Sequence, residues 1–200
     1  MKSRYLSEAE LTALFSQLAA DRRLLFEVAL QTGMRIGDVV KLRRRNISRV
    51  GSGEVRVSFT AEKTGKHAIC PVYGTYADKL WQLAKHGNGF LWPSRGKTGH
   101  ITRQSAWNWL KAAAKAANVD FDGVSPHSLR KCFAVRVRHE RGMLAAQRAL
   151  QHSNSATTAI YAYADIYAGE DPEAPVLWCQ VDQLVDLIAA RLTEHAKELS

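Results

Sequence analysis

Cysteine is scarce in this chain and scattered: Cys70, Cys132 and Cys179 are the whole complement, and no two form a C-x-x-C pair. That spacing excludes a disulfide framework and the common zinc modules, and it suits a reducing compartment, so a cytoplasmic protein is expected. Long apolar runs are lacking too. Nothing approaches the ~20 residues of a membrane span, and the opening MKSRYLSEAEL is too polar for a secretory signal. Neither an internal repeat nor a low-complexity tract is present, which excludes a solenoid. Acids are few over most of the length: the first 164 residues hold 26 Lys+Arg against 11 Asp+Glu, whereas residues 165–200 hold eight acids against Arg191 and Lys197. A body this basic implies a polyanionic partner, most often nucleic acid.

What is present is a largely helical pattern, with 46% hydrophobic residues, enough for a folded core. In LSEAELTALFSQLA, Ser7 and Glu10 make a capping box and Leu6 can staple against Leu11, so a helix starts near Ser7. RRLLFEVALQTG is a second helix ended by Gly33 as a left-handed C-cap, and MRIGDVVKL resumes helical spacing with Arg35 and Asp38 at i,i+3. GEVRVSFTAEKTGKHAICPVY alternates apolar and polar residues on both sides of EKTGK, which predicts a β-hairpin turning near Thr64 and Gly65. Helices are predicted over 76–85, in TRQSAWNWLKAAAKAA, over 126–140, in MLAAQRALQHS and in SATTAIYAYAD. After the loop AGEDPEAP, a last helix sets Val181, Leu184, Ile188, Leu192 and Ala196 on one stripe. The expected fold class is mainly α with a small antiparallel β-sheet. One sizeable core is expected in residues 1–168, with 169–200 forming an acidic loop and C-terminal helix.

The stretch VSPHSLRKCFAVRV raises a chemical question. Ser125 is a good N-cap and Pro126 suits the first helical position. His127 and Arg130, three apart, then share a face at the positive end of the helix dipole. Two cationic groups placed there suit an anion, and a phosphate fits. Chemistry at a DNA phosphodiester needs further positive donors, a nucleophile, and an acid for the leaving oxygen. Arg35 can supply charge, with Asp38 one turn on to orient it. Lys63, on the hairpin tip, can donate a proton, with Lys66 across the turn as the second candidate. Tyr161 offers a phenol able to form a covalent ester.

In the order TGMRIGDVVKL, EKTGK, PHSLRKCFA, LQHSNSATTAIYAYAD, residues 4 to 165 resemble the catalytic domain of the tyrosine site-specific recombinases, also called phage integrases. The resemblance implies that family's catalytic-domain fold and a recombinase that cleaves and rejoins DNA through a 3′-phosphotyrosine. It makes Arg35 and Arg130 the clamp on the scissile phosphate, Lys63 the general acid for the leaving 5′ oxygen, and His127 the general base or proton relay. It makes His152 a further donor to the phosphate, Asp38 a support behind the site, and Tyr161, nine residues after His152, the nucleophile. No metal and no other cofactor is implied. The implied partners are double-stranded DNA, further copies of the chain as a tetramer on DNA, and DNA-bending accessory proteins, in a bacterial or phage-encoded, nucleoid-associated setting. Candidate DNA contacts are Lys41, Arg43 and Arg44 in KLRRRN, Lys66 on the hairpin, and Arg103 and Gln104 in TRQSAWNWLK.

Two departures from the family pattern stand out. Gln151 takes the place of the usual glycine before His152, and the sequence starts at the catalytic region without the helical DNA-clamp domain that usually precedes it, so it is expected to be either a piece of a longer protein or similar to the short invertases that flip promoter segments. The starting Met1 favours a naturally short protein. The C-terminal helix is expected to pack on its own core or on a neighbouring protomer. Two rival functions share many of these residues: a type IB topoisomerase, which relaxes supercoils without exchanging partners, and a DNA-binding accessory protein with no activity.

Overall fold

The computed structural model describes residues 3–51, 53–85, 89–150 and 155–164. The order of elements is α1 (Glu8–Ser16), α2 (Ala20–Thr32), α3 (Ile36–Val39), β1 (Ile47–Gly51), β2 (Glu54–Thr60), β3 (His67–Tyr73), α4 (Thr75–Lys85), α5 (Arg103–Ala116), α6 (Pro126–Arg141), α7 (Met143–Leu150) and α8 (Ser155–Ala162). Three antiparallel strands in the order β1-β2-β3 form one small sheet, and helices supply the rest, as the sequence pattern predicts. Gln151, His152, the loop AGEDPEAP and the stripe from Val181 to Ala196 lie outside the described residues.

Helix α2 is the axis of the core. Every residue from Leu24 to Leu30 is buried, the signature of a helix covered on all sides; α6, α4 and β3 all pack on it. The capping box at α1 forms as predicted: Ser7 Oγ accepts from Glu10 N at 3.2 Å, and Glu10 Oε2 accepts from Ser7 N at 2.9 Å. Leu6 and Leu11 are both buried.

Three local features differ from the sequence reading. The helix after Gly33 is only four residues long, because the chain leaves it at Val40 to enter the sheet through a 3₁₀ turn at Arg44–Asn46. Strand β1 was not foreseen: only Ile47 of its five residues is buried, so no alternation marks it. At the start of α6, Ser125 and Pro126 take the expected positions, but the side chain closing the turn belongs to Ser128, whose Oγ accepts from Ser125 N at 3.2 Å.

Gly33 is fixed by two constraints. It ends α2 at φ 63°, in the left-handed region, and a Cβ there would lie 2.2 Å from the Phe133 ring of α6. Gly33→Ala therefore combines an unfavourable φ with a steric overlap between two core helices. The expected loss is about 2–4 kcal/mol of unfolding free energy, read from urea denaturation. An unchanged midpoint would show that α6 can move away at no cost.

Candidate active site

Four segments distant in sequence bring the predicted groups together. Arg35 is the N-cap of α3, immediately after the Gly33 turn. Arg130 comes from the second turn of α6 and is only 5% exposed. Its guanidinium reaches across to α2 and α7, donating to the carbonyls of Gly33 and of Leu150, the latter at 2.6 Å. Those two bonds set the plane of the guanidinium and seal the end of α2. Desolvation first, then the charge of Arg35, pushes the Arg130 pKa down to about 10, opposed by Tyr161, Asp38 and Cys70. At neutral pH Arg130 stays charged, held beside a second cation with carbonyl bonds as compensation. A small cavity of about 10 Å³ lies behind the pair, walled in part by Met34, Phe59 and Cys70.

Asp38 is buried, and its Oδ1 accepts from the backbone N of Glu62 at 3.0 Å. That bond pins the base of the β2–β3 turn to α3, so the residue next to it, Lys63, is carried toward the α6 N-terminus. The turn is closed by Gly65 N and Thr64 N donating to Ala61 O at 2.8 and 3.2 Å, with Gly65 at φ 65°.

His127 lies on the first turn of α6, with its outer edge exposed. Partial desolvation, then the charges of Arg130, Arg35, Lys131 and Lys63, hold its imidazole below the ordinary histidine value of 6.5. The ring is therefore neutral at pH 7 and able to accept a proton. An anion in the pocket would offset the cations and raise the value. We expect the His127 Cε1–H resonance to titrate below pH 6.5 in the free protein and to move to higher pH when duplex DNA is added; no movement would mean that the phosphate does not approach this ring.

Tyr161, on α8, is half-buried and close enough to Arg130 for an ionised phenol there to favour the charged guanidinium. The Lys131 ammonium stands 5.9 Å from its ring centroid. Tyr163, the nearby alternative, lies under the Arg138 guanidinium at 4.7 Å. Arg35, Asp38, Lys63, His127, Arg130 and Tyr161 thus share one neighbourhood, while His152 lies outside the described residues. Lys131 escaped the sequence reading, since a lysine beside an arginine in a basic helix gives no sign of burial. Among the described residues no three His, Cys, Asp or Glu side chains gather closely enough to hold a metal ion, and no helix is long and apolar enough to cross a membrane.

The candidate DNA contacts fall into different situations. Lys41 pairs with Glu62 at 2.7 Å, an exposed bond that holds Glu62 below the usual carboxylate range. Arg43 stacks on Phe90, 3.8 Å from the ring centroid. Arg44 and Lys66 are exposed. Arg103 lies over Gly37, where an added Cβ would sit 3.0 Å from its Cδ, and Gln104 Nε2 donates to Asn108 Oδ1 at 2.9 Å on the outer face of α5. Arg103, Gln104 and Trp107 line an open groove of about 730 Å³ that ends at Pro126 and His127. A groove of that size beside the cations can seat a nucleic-acid backbone.

Comparison with known proteins places the fold. The model of the phage integrase family matches residues 4–166. Tyrosine recombinase XerD of Pasteurella multocida is 30% identical over 176 residues, covering 80% of this chain and 58% of that protein. XerD of Vibrio vulnificus is 31% identical over 151 residues, covering 70% of this chain and 48% of its own length. The chain thus spans about half the length of these curated relatives. Among solved structures, the lambda integrase catalytic core superposes with a TM-score of 0.60 at 20% identity, over 76% of this chain and 92% of that one. XerH site-specific recombinase in its post-cleavage complex with difH gives 0.68 at 20% identity, over 89% and 54%. The fold is the one those catalytic cores share.

Proposed function

The chain belongs to the phage integrase family, and from that premise we propose that it cleaves and rejoins DNA at defined sites through a covalent phosphotyrosine. The observation that carries this reading is the convergence of Arg35, Lys63, His127, Arg130 and Tyr161 from four separate segments. Arg35 and Arg130 neutralise the non-bridging oxygens of the scissile phosphate as charge builds on them. His127, neutral at pH 7, takes the phenolic proton as the Tyr161 oxygen attacks phosphorus. The bond from phosphorus to the 5′ oxygen breaks, Lys63 gives that oxygen a proton, and the phosphate remains joined to Tyr161 and to the 3′ side. Attack by a 5′ hydroxyl runs the same steps backwards and regenerates the phenol, so neither metal nor ATP is consumed. His152 adds a further donor to the phosphate in this scheme, and Arg44, Lys66, Arg103 and Gln104 contact DNA around it.

The direct test uses a duplex library with a randomised central block and a single nick. When cleavage falls just upstream of the nick, the short piece between cut and nick, which carries the new 5′ hydroxyl, diffuses away and the covalent adduct cannot reverse. Recovery of denaturation-resistant adducts that converge on one sequence supports the reading; DNA bound but never joined contradicts it.

The reading extends to assembly. Lambda integrase has been solved as a tetramer bound to a Holliday junction, and this chain is proposed to act as a tetramer on DNA, with bending proteins as helpers. In this proposal residues 1–168 are the catalytic unit, and the stripe in 169–200 docks on a neighbouring protomer. Deleting residues 170–200 should leave single-site binding and remove higher-order complexes in a gel-shift series; intact higher-order complexes would place that segment on its own core.

A further inference from the structure

Lys131 follows Arg130 on α6 and so projects about 100° further round the helix. It is 7% exposed, an expensive place for an ammonium unless something holds it. Its Nζ donates to the Ser3 carbonyl at 2.5 Å, across 128 residues of sequence, and stands 5.9 Å from the Tyr161 ring centroid. That separation is within the range in which a cation is attracted to an aromatic face. The N-terminal segment before α1, α6 and α8 therefore meet at one ammonium group. The segment carrying Ser3 is itself anchored: Arg4 N donates to Gly123 O at 3.0 Å, and the Arg4 guanidinium reaches Asp120 O at 2.6 Å and Glu10 Oε1 at 2.7 Å.

We propose that Lys131 is a positioning residue for Tyr161: fixed by the Ser3 carbonyl, its ammonium holds the ring face and keeps a positive charge beside the phenolate while the bond to phosphorus forms. The inference rests on Tyr161 being the nucleophile. Lys131 keeps its own protons throughout, since the phenolic proton passes to His127. A tyrosine side chain turns about two bonds, and an ammonium over its face restricts both. The attraction strengthens as the ring becomes anionic, so it favours the reacting state over the resting one. The same charge acts on His127, which gives the role a second signature.

The test is single-turnover adduct formation on the nicked duplex selected from the randomised library, with Lys131→Met, Lys131→Gln and Lys131→Arg beside the unaltered chain. Expected are a maximal rate lowered about tenfold to a hundredfold in the Met and Gln variants, a half-saturating protein concentration unchanged within about twofold, and recovery of most of the rate with Arg. The His127 resonance should titrate at higher pH in Lys131→Met, because one of the cations opposing its protonation is gone. A Met variant at the full maximal rate overturns the proposal, as does an Arg variant as slow as Met and Gln, which would mark a packing role. If the Met variant melts early, the comparison rests on Arg against Gln at a temperature where both are folded; Arg faster supports the proposal and equal rates overturn it. Tyr161→Phe separates the two levels. Adducts formed by that variant would remove the nucleophile assignment itself, whereas an inactive Phe variant beside a fully active Met variant would remove only the role of Lys131.

Discussion

Replacing Tyr161 by phenylalanine is expected to abolish the covalent adduct, a fall of at least about a thousandfold that reaches the detection floor, while affinity for the same duplex stays within about twofold. The change removes one oxygen and leaves the ring. Phenylalanine keeps the half-buried packing on α8 and the face presented to Lys131, so the fold and the DNA-binding surface are expected to persist. What disappears is the atom that must attack phosphorus. Tyr163→Phe is the matched control: that ring lies under Arg138, and its loss should leave adduct formation near its original rate. A Tyr161→Phe protein that still joins DNA, measured by denaturing gel, would move the chemistry to another residue. Loss of DNA binding together with loss of the adduct would instead show that the hydroxyl holds the site together.

Arg130→Lys is expected to cost about a hundredfold to a thousandfold in cleavage rate and about 2–3 kcal/mol in stability. The guanidinium bridges the Gly33 and Leu150 carbonyls at once. One ammonium on a shorter reach cannot span both, and a carbonyl left unpaired in a buried place carries its full desolvation penalty. The environment also acts on charge. Burial and the neighbouring Arg35 lower the arginine to about 10, and the same two causes act downward on a lysine, which starts from a lower ordinary value than arginine. Residual activity in the lysine variant should therefore fall with rising pH earlier than that of the arginine enzyme, whose guanidinium remains protonated. A flat profile to pH 9 would mean that the lysine head group escapes to solvent rather than occupying the site.

How much of this was legible in the sequence follows from the range of each interaction. Helix α6 announces itself through Ser125 and Pro126 because capping is local, and Gly33 marks the end of α2 because only glycine takes its φ at no cost. The hairpin was visible for the same reason, its alternation and its turn lying within some twenty residues. Strand β1 was not, since four of its five residues face solvent and it exists only because β2 offers a partner edge. The site divides in the same way. His127 and Arg130 sit three apart on one helix and could be paired from spacing alone. Arg35, Lys63 and Tyr161 were joined to them by family resemblance, not by any pattern in the residues themselves. The Arg130 bond to Gly33 crosses 97 residues and the Asp38 bond to Glu62 crosses 24; no local rule predicts either. The basic run KLRRRN shows the limit most plainly. Its residues read alike in sequence, yet Lys41 is engaged by Glu62, Arg43 is stacked on Phe90, and Arg44 is exposed.

The central claim is that one phosphate is captured by one phenol, and mapping the adduct tests it most directly. Protein joined to the selected nicked duplex is digested with nuclease and protease, and the residual nucleotide mass is located by fragmentation mass spectrometry. The account predicts a nucleotide attached through its 3′ phosphate to Tyr161 and to no other residue. The same mass on Tyr163, on Tyr167 or on a non-tyrosine side chain would contradict it.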